Sequence, residues 1–168
     1  LPEMLASKRL VPVVGQSSGG LSTKHLCYNL MFHSDVLGEF KAITPGQHGI
    51  GSGAEFRVGN SLLTLSPLGS ALQFAKIVER AHGIVFTCEA TAPQSCIDEI
   101  RYVLAIAEDR FPFVVLAFDS EGVSLVSLAE RLGLLAMAEL DPLRRFSIVR
   151  VKESQLDALK PALEWLVK

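Results

Sequence analysis

The stretch Gly15-Gln16-Ser17-Ser18-Gly19-Gly20-Leu21-Ser22-Thr23 is the segment whose residue types and spacing best fit a defined chemistry. Loops of the form G-x-x-x-x-G-K-[ST] cradle phosphates with backbone N–H groups, a lysine and a hydroxyl that binds Mg²⁺. Gly15, Gly20 and Ser22 hold their places in that pattern. Leu21 stands where the lysine belongs. Leucine has no phosphate chemistry, but it can pack down and fill the space a nucleotide would occupy. Two glycines alone are a weak match, and an ordinary glycine-rich turn is the plainer alternative. The match gains weight from its place between a strand and a helix.

The other reactive side chains form no comparable group. Cys27, Cys88 and Cys96 are odd in number, lack C-x-x-C spacing and fall in strand or helix contexts. They read as reduced thiols, small apolar fillers in a cytoplasmic protein. His25, His33, His48 and His82 have no metal-site spacing. His25 and Cys27, two apart on an expected helix, point to different faces. No metal site is expected from these residues.

Periodicity supplies the elements that position the loop. Arg9–Val14 (RLVPVV) reads as a first strand, although Pro12 is unusual in a central strand. Ser22 opens a helix with Leu26, Leu30 and Met31 at helical spacing. Residues 33–53 are polar and glycine-rich without periodicity, and read as a long loop. Ala54, Phe56 and Val58 alternate with Glu55 and Arg57, and Gly59-Asn60 fits a two-residue hairpin turn into Ser61–Ser66. Leu72–Arg80 reads as a helix.

Gly83–Cys88 and Phe113–Phe118 are continuous apolar runs, the signature of parallel strands buried on both faces. Between them Cys96, Ile97, Ile100, Val103, Leu104 and Ala107 make one helical stripe. A second stripe, Leu125, Leu128, Ala129 and Leu132, ends at Gly133. Phe146–Val151 is a last strand. Leu156, Leu159, Leu163 and Leu166 mark a last helix, kinked at Pro161 or starting near Lys160. Alternating strands and helices imply a mainly parallel sheet with helices on both faces. The hairpin implies one antiparallel strand at an edge.

Composition narrows the class. The 168 residues are 49% hydrophobic and 20% charged, a globular balance that fits one domain over residues 1–168. A net charge of -2 without a basic stripe argues against nucleic acid as a partner. No apolar run reaches the roughly 18 residues of a membrane span. The start at Leu1 lacks signal-peptide character and reads as a trimmed product or a piece of something longer.

The order of elements, together with GQSSGGLST, Ser66-Pro67-Leu68-Gly69 and FPFVVLAFDSEG, resembles the Ras-like small GTPases. The nearest resemblance is to the bacterial gliding-motility (Mgl-like) group, over residues 8–168. It implies a P-loop NTPase-like three-layer sandwich whose mostly parallel six-stranded sheet has one antiparallel edge strand. It also implies nucleotide contacts at Gly15, Ser18, Gly20, Leu21, Ser22, Thr23, Gly69, Asp119 and Glu121. Ser22, Thr44 and Ser66 would be vestiges of a Mg²⁺ site. Several matches carry the wrong chemistry. Ser66 takes the place of the family's aspartate and Ser70 that of its water-positioning glutamine. Phe118 takes the place of the guanine-reading asparagine, with Glu121 at the guanine-reading acid. The last nucleotide-contacting element is not recognisable near Val151-Lys152.

The expected function is therefore a pseudo-GTPase, a protein-interaction module with little or no GTP binding or hydrolysis and no cofactor of its own. Partners, a roadblock-type protein among them, would dock near residues 40–53 and 67–80. The alternative is a divergent small GTPase that binds GTP or GDP with Mg²⁺ weakly and hydrolyses slowly. A third reading, a response-regulator-like or flavodoxin-like domain, offers only Asp119 as a phosphoacceptor.

Overall fold

The computed structural model describes residues 7–15, 39–44, 53–68, 70–89, 94–107, 112–118, 122–151 and 158–167. Seven strands are described: β1 (Ser7–Val14), β2 (Glu39–Thr44), β3 (Gly53–Val58), β4 (Ser61–Pro67), β5 (Ile84–Glu89), β6 (Phe113–Phe118) and β7 (Phe146–Val151). Four α-helices are described: α1 (Gln94–Ala107), α2 (Leu125–Arg131), α3 (Leu134–Leu140) and α4 (Leu159–Leu166). The sheet order is β2-β3-β4-β1-β5-β6-β7. Pairing is parallel from β4 through β1, β5 and β6 to β7, and antiparallel on both sides of β3.

Two-sided burial builds the layers. Along β6, Phe113, Val115 and Ala117 enter one apolar cluster, and Val114, Leu116 and Phe118 enter the other. This is the alternation of a strand covered on both faces. The first cluster takes in Ile97, Ile100 and Val103 of α1 and Leu128 of α2. The second takes in Leu159, Leu163 and Leu166 of α4. A mostly parallel sheet between two helical layers is the architecture expected from the sequence.

Three details depart from that expectation. The sheet has seven strands rather than six, because Glu39–Thr44 pairs with β3 as an outer strand. This segment carries Glu39 and Lys41 and slips register between Phe40 and Ala42, which erases a clean alternation. The antiparallel strand β3 is consequently one place in from the edge. The segment read as a helix over Leu72–Arg80 is two 3-10 turns, Ala71–Lys76 and Val78–Arg80. Its apolar anchors Ala71, Phe74 and Ile77 recur every three residues, which suits a 3-10 period better than 3.6. Residues 134–140, left unassigned by periodicity, form α3 directly after Gly133, whose φ of 78° is left-handed.

The hairpin turn is as expected: Val58 pairs with Ser61, and Gly59 has φ 60°. A two-residue turn with a positive φ at its first position favours glycine there. Pro161 lies in the first turn of α4, where its missing N–H costs nothing. Leu26, Leu30, Met31 and Leu156 lie outside the described residues.

β1 is bonded unequally to its two neighbours. It pairs with β4 from Ser7↔Ser61 to Val13↔Pro67. With β5 it pairs only at Val13↔Val85 and Val14↔Phe86, with an isolated bridge at Leu10↔Ala81. Between these points His82 closes the gap. Its backbone N–H donates to the Leu10 carbonyl at 2.8 Å, and its Nδ1 accepts from the Leu10 N–H at 3.1 Å. His82 is exposed, so water can partly replace the imidazole. His82→Ala is expected to cost about 0.5–1.5 kcal/mol, the net value of such a bond. In urea unfolding this lowers the midpoint at constant m. An unchanged midpoint would remove the imidazole from the account of β1–β5 pairing.

Candidate functional site

In a parallel sheet, ligands bind beyond the carboxyl ends of the strands, where successive connections leave in opposite directions. Here the chain goes from β1 to β2, β3 and β4 on one side, and then crosses to β5, β6 and β7 on the other. The divergence falls between β1 and β5, and Gly15 is the residue that leaves β1 there. On one face of the sheet aromatics pack together. Phe113 stacks on Phe146 at 5.5 Å and meets Phe86 edge-on at 5.7 Å. The Arg144 guanidinium lies 5.7 Å from the Phe113 ring centre.

Gly15 is positioned by contact with β5. A Cβ built on it would lie 1.7 Å from Thr87 Oγ1 and 2.7 Å from the Thr87 carbonyl oxygen. Only glycine allows so close an approach. Thr87 is 2% exposed, and its hydroxyl donates to the Val14 carbonyl at 3.5 Å. The hydroxyl is therefore satisfied within the sheet, as a buried polar group must be.

Ser66 lies beside Pro12 in the β4–β1 register. The Leu68 N–H then donates to the Val13 carbonyl at 3.0 Å, carrying the chain past the end of β1. Thr44 ends β2, opposite Gly53. Both β2 and β4 run antiparallel to β3, so Thr44 and Ser66 emerge at the same edge as Gly15. One strand separates Thr44 from Ser66, about 9–10 Å at normal strand spacing. The fold thus gathers Gly15, Thr44 and Ser66 at one edge. Ser18, Gly20, Leu21, Ser22, Thr23, Gly69, Asp119 and Glu121 lie outside the described residues. In sequence, Asp119 follows the last residue of β6 and Gly69 follows Leu68.

Two family-matched positions have other partners here. Phe118 is 2% exposed and packed into the cluster beneath α4. Ser70 caps the 3-10 turn, its Oγ accepting from the Leu72 N–H at 3.2 Å. Sequence reasoning did not single out Thr87. Its signal was the one polar side chain inside the apolar run of β5. Among the described residues no group of three or more His, Cys, Asp or Glu side chains is arranged to hold a metal.

No protein-family model and no curated protein matches this chain. Solved structures do match. One is an ADP-ribosylation factor-like GTP-binding protein, the small COPII coat GTPase SAR1 from Encephalitozoon cuniculi in complex with GDP. It matches with a TM-score of 0.62 at 19% identity, over 98% of this chain and 81% of that one. Another is the Arl6 (BBS3) small GTPase from Trypanosoma brucei with the bound nucleotide analogue GppNp, at TM-score 0.63 and 17% identity over 96% of each chain. A bacterial selenocysteine-specific elongation factor, EF-Sec, matches at TM-score 0.61 and 18% identity over 96% of this chain and 29% of its own. The chain therefore has the P-loop α/β fold found in Ras-like small GTPases and GTPase elongation factors. At these identities the likeness concerns the fold alone.

Gly15→Ala should force β1 and β5 apart at the crevice. The expected loss is about 1–3 kcal/mol, the usual cost of overpacking. Adding Thr87→Ala should recover only part of it, because the Thr87 carbonyl remains in the way. Unfolding of the two single variants and the double variant measures the coupling. Strict additivity would contradict the contact.

Proposed function

We propose that this chain is a pseudo-GTPase, an interaction and regulatory module with little or no GTP binding or hydrolysis. The observation that carries this reading is Phe118. It stands at the position matched to the guanine-reading asparagine, offers no carboxamide, and is buried in the core. The rest of the donor set agrees. Leu21 replaces the phosphate-binding lysine, and Ser66 replaces an aspartate of the Mg²⁺ site with a neutral hydroxyl. Ser70, at the glutamine position, is used as a cap. The close approach at Gly15 fits a phosphate loop. The donors around it do not fit guanine or Mg²⁺. With neither lysine nor glutamine, little is left to stabilise charge developing during hydrolysis.

The same reading places partner docking at residues 40–53 and 67–80. Leu72 supports it: this leucine is 67% exposed on the 3-10 turn after β4. A roadblock-type partner and a place among the gliding-motility group rest on the sequence resemblance. A cytoplasmic, single-domain protein over residues 1–168 belongs to the same proposal. Among the described residues no helix is long and apolar enough to cross a membrane.

A second reading is a divergent small GTPase. The glycine approach, Ser22 and Glu121 favour it, and two structural neighbours are described with GDP and GppNp. Titration with fluorescent GTP and GDP analogues, with and without Mg²⁺, separates the readings. The pseudo-GTPase shows no binding up to high micromolar concentration. Tight, Mg²⁺-dependent, guanine-selective binding would sink it. Leu21→Lys should strengthen whatever nucleotide affinity exists by about ten- to a hundredfold, the value of one bond to a charged group.

A further inference from the structure

Two thiols meet beside the crevice. Cys88 lies near the carboxyl end of β5 and Cys96 lies in the first turn of α1. Both are free and buried, at 2% and 3% exposure. The Cys88 thiol donates to the Glu89 carbonyl at 3.2 Å, and the Cys96 thiol to the Thr87 carbonyl at 3.9 Å. Both sulfurs thus rest on the backbone immediately flanking residue 88. The two thiols also lie within hydrogen-bonding reach of each other, which divides their roles. A hydrogen bond from Cys96, made in place of the one to the Thr87 carbonyl, holds the Cys88 thiol below its ordinary range, against burial and the Glu89 charge, and the nearby Arg131 helps. That bond and burial push the Cys96 thiol up. Cys88 is the better thiolate, and Cys96 is placed to resolve what it forms.

We propose that Cys88 and Cys96 are a dithiol switch, oxidised by a low-molecular-weight disulfide to an intramolecular disulfide that ties the start of α1 to the end of β5. The Cys88 thiolate attacks one sulfur of the disulfide, forming a mixed disulfide and expelling one thiolate. The Cys96 thiolate then attacks the Cys88 sulfur and expels the second. The protein loses two protons and two electrons, and the small disulfide gains them as two thiols. Burial means that exchange proceeds through local opening, so it is slow. Thr87 links the switch to the crevice, because the residue whose carbonyl accepts from Cys96 also packs against Gly15. The proposal is independent of whether nucleotide binds there.

The test uses the full chain carrying Cys27→Ser, incubated for hours with glutathione disulfide. Free thiols are alkylated after unfolding, and peptides are identified by mass spectrometry. The expected product is a Cys88–Cys96 linked peptide, two hydrogens lighter than its parts and reversed by dithiothreitol, in a monomer that melts above the reduced protein. In Cys96→Ser the glutathione should stay on Cys88, because nothing resolves it. Recovery of both thiols alkylated, glutathione retained on Cys88 with Cys96 present, a link between chains, or a lower melting temperature would each overturn the proposal.

Discussion

The strand at the centre of this sheet contains a proline, and much of the structure is arranged around that fact. In a parallel ladder, alternate residues of a strand turn their N–H and C=O groups to the same neighbour. The Leu10 N–H and carbonyl both face His82 on the β5 side. Pro12, two residues on, faces β5 as well and has no proton to give. The ladder is absent there: it is bridged at Leu10↔Ala81, lapses, and resumes at Val13↔Val85. On the β4 side, where Pro12 owes no donor, pairing runs without a break to Val13↔Pro67. A central proline is tolerable because its deficit falls on one ladder, and His82 and Thr87 stitch that ladder on either side of the gap.

The same weak seam coincides with the divergence of the chain, where a crevice forms. A seam with few backbone bonds has to be held by side chains, and the sequence places unusual ones there. Thr87 satisfies the Val14 carbonyl and packs on Gly15. Away from the seam the sheet is held by long backbone ladders and by alternation. Each of β5 and β6 sends apolar side chains into both clusters, so neither helical layer can slip register without exposing one of them.

Much of this was legible from residue order. The runs of β5 and β6 showed as unbroken apolar stretches, and the stripe of α1 buries Cys96, Ile97, Ile100, Val103 and Ala107 as its spacing implied. These elements are set by strong, repeated patterns. β2 was not legible, because a bulge after Phe40 breaks the period of two on which strand recognition depends. The 3-10 turns were read as a helix because Phe74 and Ile77 serve either period over so short a span. At the candidate site, the glycine at the end of β1 was readable, but its reason was not. Thr87 is distant in sequence, and only the register of β1 against β5 brings it to Gly15. The meeting of Cys88 with Cys96 was hidden similarly, since strand and helix had each been assigned without their relative rotation.

Scaffold and ligand chemistry separate cleanly in such a fold, and the separation explains how one can persist as the other changes. The close approach at Gly15 is required by β5, whatever lies in the crevice. Ser66 and Phe118, two of the positions matched to ligand donors, sit near the ends of their strands. Phe118 shows which way the balance tips. An asparagine buried at that position would leave carboxamide groups needing partners, a cost of about 1–3 kcal/mol for each group left unmet. A phenylalanine there gains roughly 1.5–3 kcal/mol from burial, against Val151 and Leu159 in the same cluster. A binding site usually carries a stability penalty that its ligand offsets. On the proposed reading, exchange of the ligand donors for core-forming residues relieves that penalty. The fold then no longer leans on a nucleotide for part of its stability.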